Sequence, residues 1–308
     1  MNRNNKEVLT DTQSKKIKRV NLKNYYSRQG WLFISFAVVL FATFVFYPII
    51  KSFLLTFQEV KGLNVSFAGF DNYLRLLQDE MFWTALKNTF LFLIIQVPVM
   101  LVLAILLASL LNDKTLKLKG FYRTAIFLPC VTSLVAYSVL FKMMFAVDGI
   151  INQFLMSTQL IQVPIEWLSD PFYAKVVIVV ALLWRWTGYN MMFFLAAMQN
   201  IPQETYEAAE VDGANAMQRF FKITIPQLKP IILFTGIMST IGTLQLFDEP
   251  MNLTGGGPGV STTTISQYIY NQSFVYAPDF GYAATISYVV VLIVIILSII
   301  QFKWAGEK

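Results

Sequence analysis

Lys87-Asn-Thr-Phe-Leu-Phe-Leu-Ile-Ile-Gln-Val-Pro-Val-Met-Leu-Val-Leu-Ala-Ile-Leu-Leu-Ala-Ser-Leu-Leu111 carries no charge after its first residue. A helix needs about 20 predominantly apolar residues to cross the hydrocarbon core of a bilayer, and this stretch exceeds that. Five further stretches read the same way, at 31–55, 122–146, 174–198, 229–250 and 282–304, so an all-α membrane protein of six transmembrane helices is expected. The first is too long, and too far behind a polar tail, for a cleaved signal peptide. Composition agrees: 56% of the 308 residues are hydrophobic and 14% charged, against about 25% charged in soluble domains. The 27 Phe, 14 Tyr and 6 Trp suit lipid interfaces and helix bundles.

Charge gives orientation. The net charge of +6 does not call for nucleic acid, because a third of the 24 basic residues fall between Arg3 and Arg28. Basic residues recur at Lys114, Lys117 and Lys119, at Arg219 and Lys222, and at Lys303 and Lys308. The intervening connection 56–86 carries only Lys61 and Arg75, while 147–173 and 251–281 carry none. Basic loops stay on the cytoplasmic side, which places both termini inside and reads 1–30 as a cytoplasmic tail and 31–308 as one transmembrane domain in lipid. Ser169-Asp170-Pro171 and Thr254-Gly-Gly-Gly-Pro-Gly259 read as ordered outer surface loops.

Several chemistries are excluded. One cysteine, Cys130, permits no intrachain disulfide, and the lack of histidine removes the usual zinc sites and Ser/His or Cys/His catalysis. No GxxxxGK phosphate loop occurs. No metal or cofactor is expected in this chain, no catalytic residue is assigned, and any energy is expected from another subunit.

The connection 199–228 is the most informative. Asn200 and Pro202 suit a helix start, Ala208 and Ala209 favour helix, and Gly213 permits the left-handed turn that ends one. A short helix, a tight turn and a second short helix are expected. Glu204, Glu207 and Glu210 form an acidic stripe, which fits either a solvated surface helix or a helix offered to a groove on a partner.

Glu207-Ala208-Ala209, three residues, Gly213, nine residues, Ile223, one residue and Ile225-Pro226 resemble the EAA loop of ABC importer permeases, with Ile225 where the family form has Leu. The resemblance implies an importer type I permease in which Glu207, Ala208, Ala209 and Gly213 belong to a cytoplasmic coupling helix docked on an ATPase dimer. That dimer would carry the ATP and Mg. Phe67-Ala-Gly-Phe-Asp-Asn-Tyr73, Phe82 to Phe90, Phe121 to Pro129, and Leu253 to Pro258 with Ser261-Thr-Thr-Thr264 are similar to the maltose- and lactose-type, F-like carbohydrate permeases. This likeness implies a second homologous permease, an extracellular solute-binding protein, a bacterial plasma-membrane location and an oligosaccharide cargo. The extra spans and large periplasmic domain of the enteric maltose subunit have no counterpart here.

For the solute path, Trp184, Thr187, Gly188 and Met191 share one face of the fourth span, and Ser239, Thr243 and Leu246 one face of the fifth. Both faces fall where the maltose-type family is expected to contact sugar, although small and hydroxylated residues also glue membrane helices together. Cys130, Ser133, Leu134 and Tyr137 form a similar face in the third. Arg185 sits mid-span, where a charge costs roughly 2.5–3.5 kcal/mol on insertion scales. A structural pair with Asp248 or Glu249 is the favoured reading, and a pore-facing role the other. Rival functions are a glycerol-phosphate or polyol permease, to which Arg185 would be relevant, and an ion-coupled secondary transporter, for which the spans lack midplane acids.

Overall fold

The computed structural model describes residues 22–61, 64–113 and 115–306. Most of the basic tail 1–30, with Lys114 and Lys308, lies outside the described residues. The chain divides into two units, 1–52 and 53–308. In the first, helix α1 (Leu22–Phe41) continues through a π turn (Ala42–Phe46) into α2 (Tyr47–Leu55), with exposed apolar side chains such as Trp31, Phe36 and Phe44.

The second unit opens with a hairpin of β1 (Gln58–Lys61) and β2 (Asn64–Phe67), antiparallel with Gln58 opposite Phe67. Then come α3 (Asp71–Gln78) and α4 (Glu80–Asn112). Asp79 starts α4 by accepting from the backbone N–H groups of Met81 and Phe82, the usual use of a short acceptor at an N-cap. The third stretch, expected as one span over 122–146, is two helices, α5 (Lys119–Val131) and α6 (Leu134–Met144), bent by 98°. Thr132 and Ser133 are both extended at the break, and the Pro129 carbonyl at the end of α5 accepts from both the backbone N–H (3.3 Å) and the hydroxyl (2.6 Å) of Thr132. After α7 (Ile150–Ser157), α8 (Pro171–Gln199) starts on Asp170, which accepts from Phe172 and Tyr173, with proline at its first position.

The connection after α8 holds α9 (Gln203–Val211). The second short helix expected there is α10 (Ala216–Arg219), which runs without a break through a π turn (Phe220–Thr224) into α11 (Ile225–Leu244). Asn215 and Gln218 form a reciprocal capping box at its start. Pro226 cannot donate to the Lys222 carbonyl, beside the point where the helix is wound as a π turn. The span ends at Leu244, earlier than the expected 250. The remainder comprises α12 (Asp248–Leu253), α13 (Ile265–Tyr270), a π turn (Asn271–Val275) and α14 (Phe280–Gly306). Among the described residues five helices are long and apolar enough to cross a membrane, six if the bent α5–α6 pair is one span.

The packing of α4 along α8 forms the spine of this unit. At one end Leu76, Phe82, Ile265, Tyr282 and Ile286 cluster; at the other, Ala104, Ala108, Phe194, Leu195 and Leu228 do. Small residues such as Ala104 and Ala108, both fully buried, let the helices approach closely. Of the expected surface loop 254–259, Gly255 and Gly259 are exposed and Gly256 is buried, while the threonines that follow it, Thr262, Thr263 and Thr264, are buried. Their hydroxyls donate to the carbonyls of Gly257, Gly256 and Leu246, and the Asn88 amide caps the carbonyls of Val260 and Thr263. The threonines supply internally the hydrogen bonds that solvent would have supplied.

Candidate translocation cavity and coupling loop

A cavity of about 540 Å³ opens between α4, α8, α11 and α12, within the range of about 300–1,000 Å³ usual for small-molecule pockets. The α8 wall includes Arg185, Trp186, Tyr189, Asn190 and Phe193, which recur at i, i+1, i+4, i+5 and i+8. The α11 wall includes Ser239 and Thr243, and Leu246, beyond the end of that helix, also lines the space. All three residues expected on that side are thus brought together. On α8 the cavity takes the neighbouring face instead. Trp184 packs against Tyr137 and Phe141, with ring centroids 5.9 and 5.5 Å apart. Thr187 is buried with its hydroxyl unpaired, and Met191 is fully buried among the α4–α8 contacts. A Cβ on Gly188 would stand 1.9 Å from the Ile126 carbonyl oxygen, so this glycine lets α5 touch α8. Of the third-span face, Leu134 lines the cavity, while Tyr137 lies beneath Arg185.

Polar groups converge from three helices. The Thr243 hydroxyl lies 3.0 Å from Gln96 Oε1, and the amides of Gln96 and Asn190 both donate to the Met100 sulfur at 3.3 Å. Thioether sulfur is a weak acceptor, and the Asn190 amide also donates to the Trp186 carbonyl at 3.0 Å. The Arg185 guanidinium stands 4.8 Å from the centroid of the Tyr137 ring and 5.6 Å from that of Trp186, with Nε and one Nη buried and unpartnered. The favoured pairing of Arg185 with Asp248 or Glu249 is not formed: both acids line the same cavity and Glu249 feels the Arg185 charge, yet no ion pair closes. The guanidinium is held by aromatic faces instead. Sequence patterns pointed to α11 through hydroxyls, whereas Gln96, Trp186, Tyr189 and Asn190 were missed; a lone glutamine inside the apolar stretch 90–111 was their clearest signal.

In the connection between α8 and α11, Glu207 and Ala208 are exposed on α9. Asn200 does not cap this helix; it ends α8, donating to the Ala196 carbonyl, and Pro202 precedes α9. Gly213 takes φ +81°, the left-handed geometry that closes the helix, with the Ala214 N–H donating to the Ala209 carbonyl (2.8 Å). Two side-chain bonds tie α9 to the helix that leads into α11: Glu210 to Arg219 (2.7 Å) and Tyr206 to Thr224 (2.9 Å). Val211, Met217 and Phe221 are exposed beside it.

Residues 85–303 match the family model described as the binding-protein-dependent transport system inner membrane component. The lactose transport system permease protein LacF of Rhizobium radiobacter is 53% identical over 94% of this chain and 98% of its own length. The arabinooligosaccharides transport system permease protein AraP of Halalkalibacterium halodurans is 37% identical over 90% and 87%. The fold matches a chain in the crystal structure of a bacterial alginate ABC transporter in complex with alginate pentasaccharide-bound periplasmic protein, with a TM-score of 0.79, 23% identity and coverage of 92% and 96%. This chain accordingly belongs to the inner membrane components of binding-protein-dependent transport systems.

Proposed function

We propose that the chain is one permease subunit of an ATP-driven carbohydrate importer and that its cargo is an oligosaccharide. The observation that carries this is the cavity: aromatic side chains able to pack on the C–H faces of a sugar ring stand beside amides, hydroxyls and a guanidinium able to bind its hydroxyls. Lactose and arabinooligosaccharides, named for two relatives, are the cargo classes to test. Arg185 also favours a second reading, a glycerol-phosphate or polyol cargo.

Energy then comes from outside the chain. Glu207, Ala208, Ala209 and Gly213 form the element that docks on an ATPase dimer, and exposed Val211, Met217 and Phe221 offer that partner apolar surface. ATP and Mg belong to that dimer, and this chain does no catalysis. A second homologous permease completes the pore, an extracellular binding protein delivers the sugar, and both termini are cytoplasmic. Support comes from the family match and from the rigid attachment of α9 to α11 through Tyr206 and Glu210, which can carry a movement of α9 to the cavity wall.

The experiment is to co-purify the chain with its second permease, ATPase and binding protein and measure ATP turnover with a panel of loaded sugars. Stimulation by lactose or arabinooligosaccharides is expected. Stimulation by glycerol phosphate alone would establish the second reading.

A further inference from the structure

We infer that Arg185 and Glu249 together set the charge selectivity of the cavity, admitting uncharged polyhydroxy rings and rejecting carboxylated or phosphorylated ones. This rests on the cavity being the solute path. Arg185 presents two N–H-bearing nitrogens that are buried and without partners. Glu249 is only 4% exposed, lines the same space, and neighbours Tyr137 and Trp186, the two rings that hold Arg185. A half-buried cation and a buried carboxylate thus line the same cavity without closing on one another, which leaves the two buried guanidinium nitrogens to be satisfied by something that enters it.

Donor and acceptor chemistry identifies the bridge. A guanidinium only donates and a carboxylate only accepts, whereas a hydroxyl does both. Neighbouring hydroxyls of a neutral ring can accept from Arg185 and donate to Glu249 together. An anionic solute also carries hydroxyls, but its charge, drawn to Arg185, is brought beside the like charge of Glu249. Asp248, exposed on the same wall, adds a second negative charge, so the three charged side chains of the lining sum to −1. An anion therefore meets net repulsion where a sugar hydroxyl meets complementary partners. Trp186, Tyr189 and Phe193 favour a closed ring over an open-chain polyol.

The test uses the complete complex of both permeases and the ATPase in nanodiscs, without binding protein, so that only the membrane cavity selects. Saturation-transfer NMR reads binding of lactose and of digalacturonate. Wild type is expected to favour lactose at least tenfold. Glu249→Gln should move that ratio at least fivefold toward digalacturonate, and R185Q/E249Q should bind lactose while losing the preference. If Glu249→Gln alone fails to assemble, Asp248→Asn should shift the ratio in the same direction by a smaller factor. An unchanged ratio in every variant, with lactose still bound, would overturn the inference and leave the cavity reading standing. Absence of transfer to either sugar in the wild-type complex would overturn both.

Discussion

A methyl group added at Gly188 would meet the backbone of α5, 1.9 Å from the Ile126 carbonyl oxygen, and backbone cannot swing aside as a side chain can. Gly188→Ala should therefore destabilise the membrane unit by about 1–3 kcal/mol, the range for overpacking. Gly236→Ala is the control, because its added carbon only reaches Leu101 Cδ1 at 3.9 Å. Thermal unfolding in detergent should lower the Gly188→Ala midpoint and leave Gly236→Ala near wild type; equal midpoints would show that α5 yields freely. A second residue-scale test concerns Asp79. Burial pushes its carboxyl up, but hydrogen bonds from the Tyr268 and Tyr282 hydroxyls and from the N–H groups of Phe82 and Met81 outweigh this and hold it below the usual carboxylate range. A depressed pKa contributes stability that is present above the unfolded value of about 3.9 and lost as pH falls through the folded one. Asp79→Asn should cost about 2 kcal/mol at neutral pH and flatten the acid limb of a melting-temperature profile below about pH 4. An acid limb as steep as wild type would show that Asp79 does not set it.

Helix α9 is short, and its exposed residues Glu204, Glu207 and Ala208 touch little of their own chain, so its sequence can answer to a partner. Glu207→Lys should reduce recovery of the ATPase in pull-down from the complex by about tenfold, equivalent to about 1.4 kcal/mol, while the melting temperature of the permease stays unchanged. Tyr206→Phe removes the hydroxyl pair with Thr224, and it should leave the ATPase bound but lower sugar uptake per ATP consumed. Retained coupling in Tyr206→Phe would mean that the Glu210–Arg219 pair alone transmits the motion. The existence of α4, α8 and α14 was legible in the sequence because lipid imposes a length and an apolarity that few other environments require. The break in the third span was not: Val131-Thr132-Ser133 is apolar and hydroxylated enough to pass as span, and the extended backbone there depends on packing around it. The buried threonines at 262–264 were hidden for a related reason, since Gly and Thr runs look alike whether water or the protein satisfies their carbonyls. Along α8 the helical period was clear but not its rotation, and Gly188 and Met191 serve helix contact while Tyr189 and Asn190, their neighbours in sequence, line the cavity.

At the scale of the molecule, the question is whether this chain can move a solute by itself. Its cavity is walled by α4, α8, α11 and α12 and carries one acid, Glu249, that is both buried and beside a cation. An ion-coupled carrier working alone would have to use that carboxylate, because Asp248 on the same wall is exposed. A permease of a binding-protein-dependent system needs no such proton step if α9 is, as proposed, its coupling element, and Glu204, Glu207 and Ala208 on that helix are exposed. Proteoliposomes separate the two. With the chain alone, imposing a pH or sodium gradient should give no uptake of labelled lactose above that of empty liposomes. With both permeases, the ATPase and loaded binding protein, uptake should appear on adding ATP and Mg, survive collapse of either gradient by ionophore, and disappear with Glu207→Lys. Gradient-driven uptake by the chain alone, abolished by Glu249→Gln, would instead make Glu249 the coupling group and α9 an ordinary surface helix.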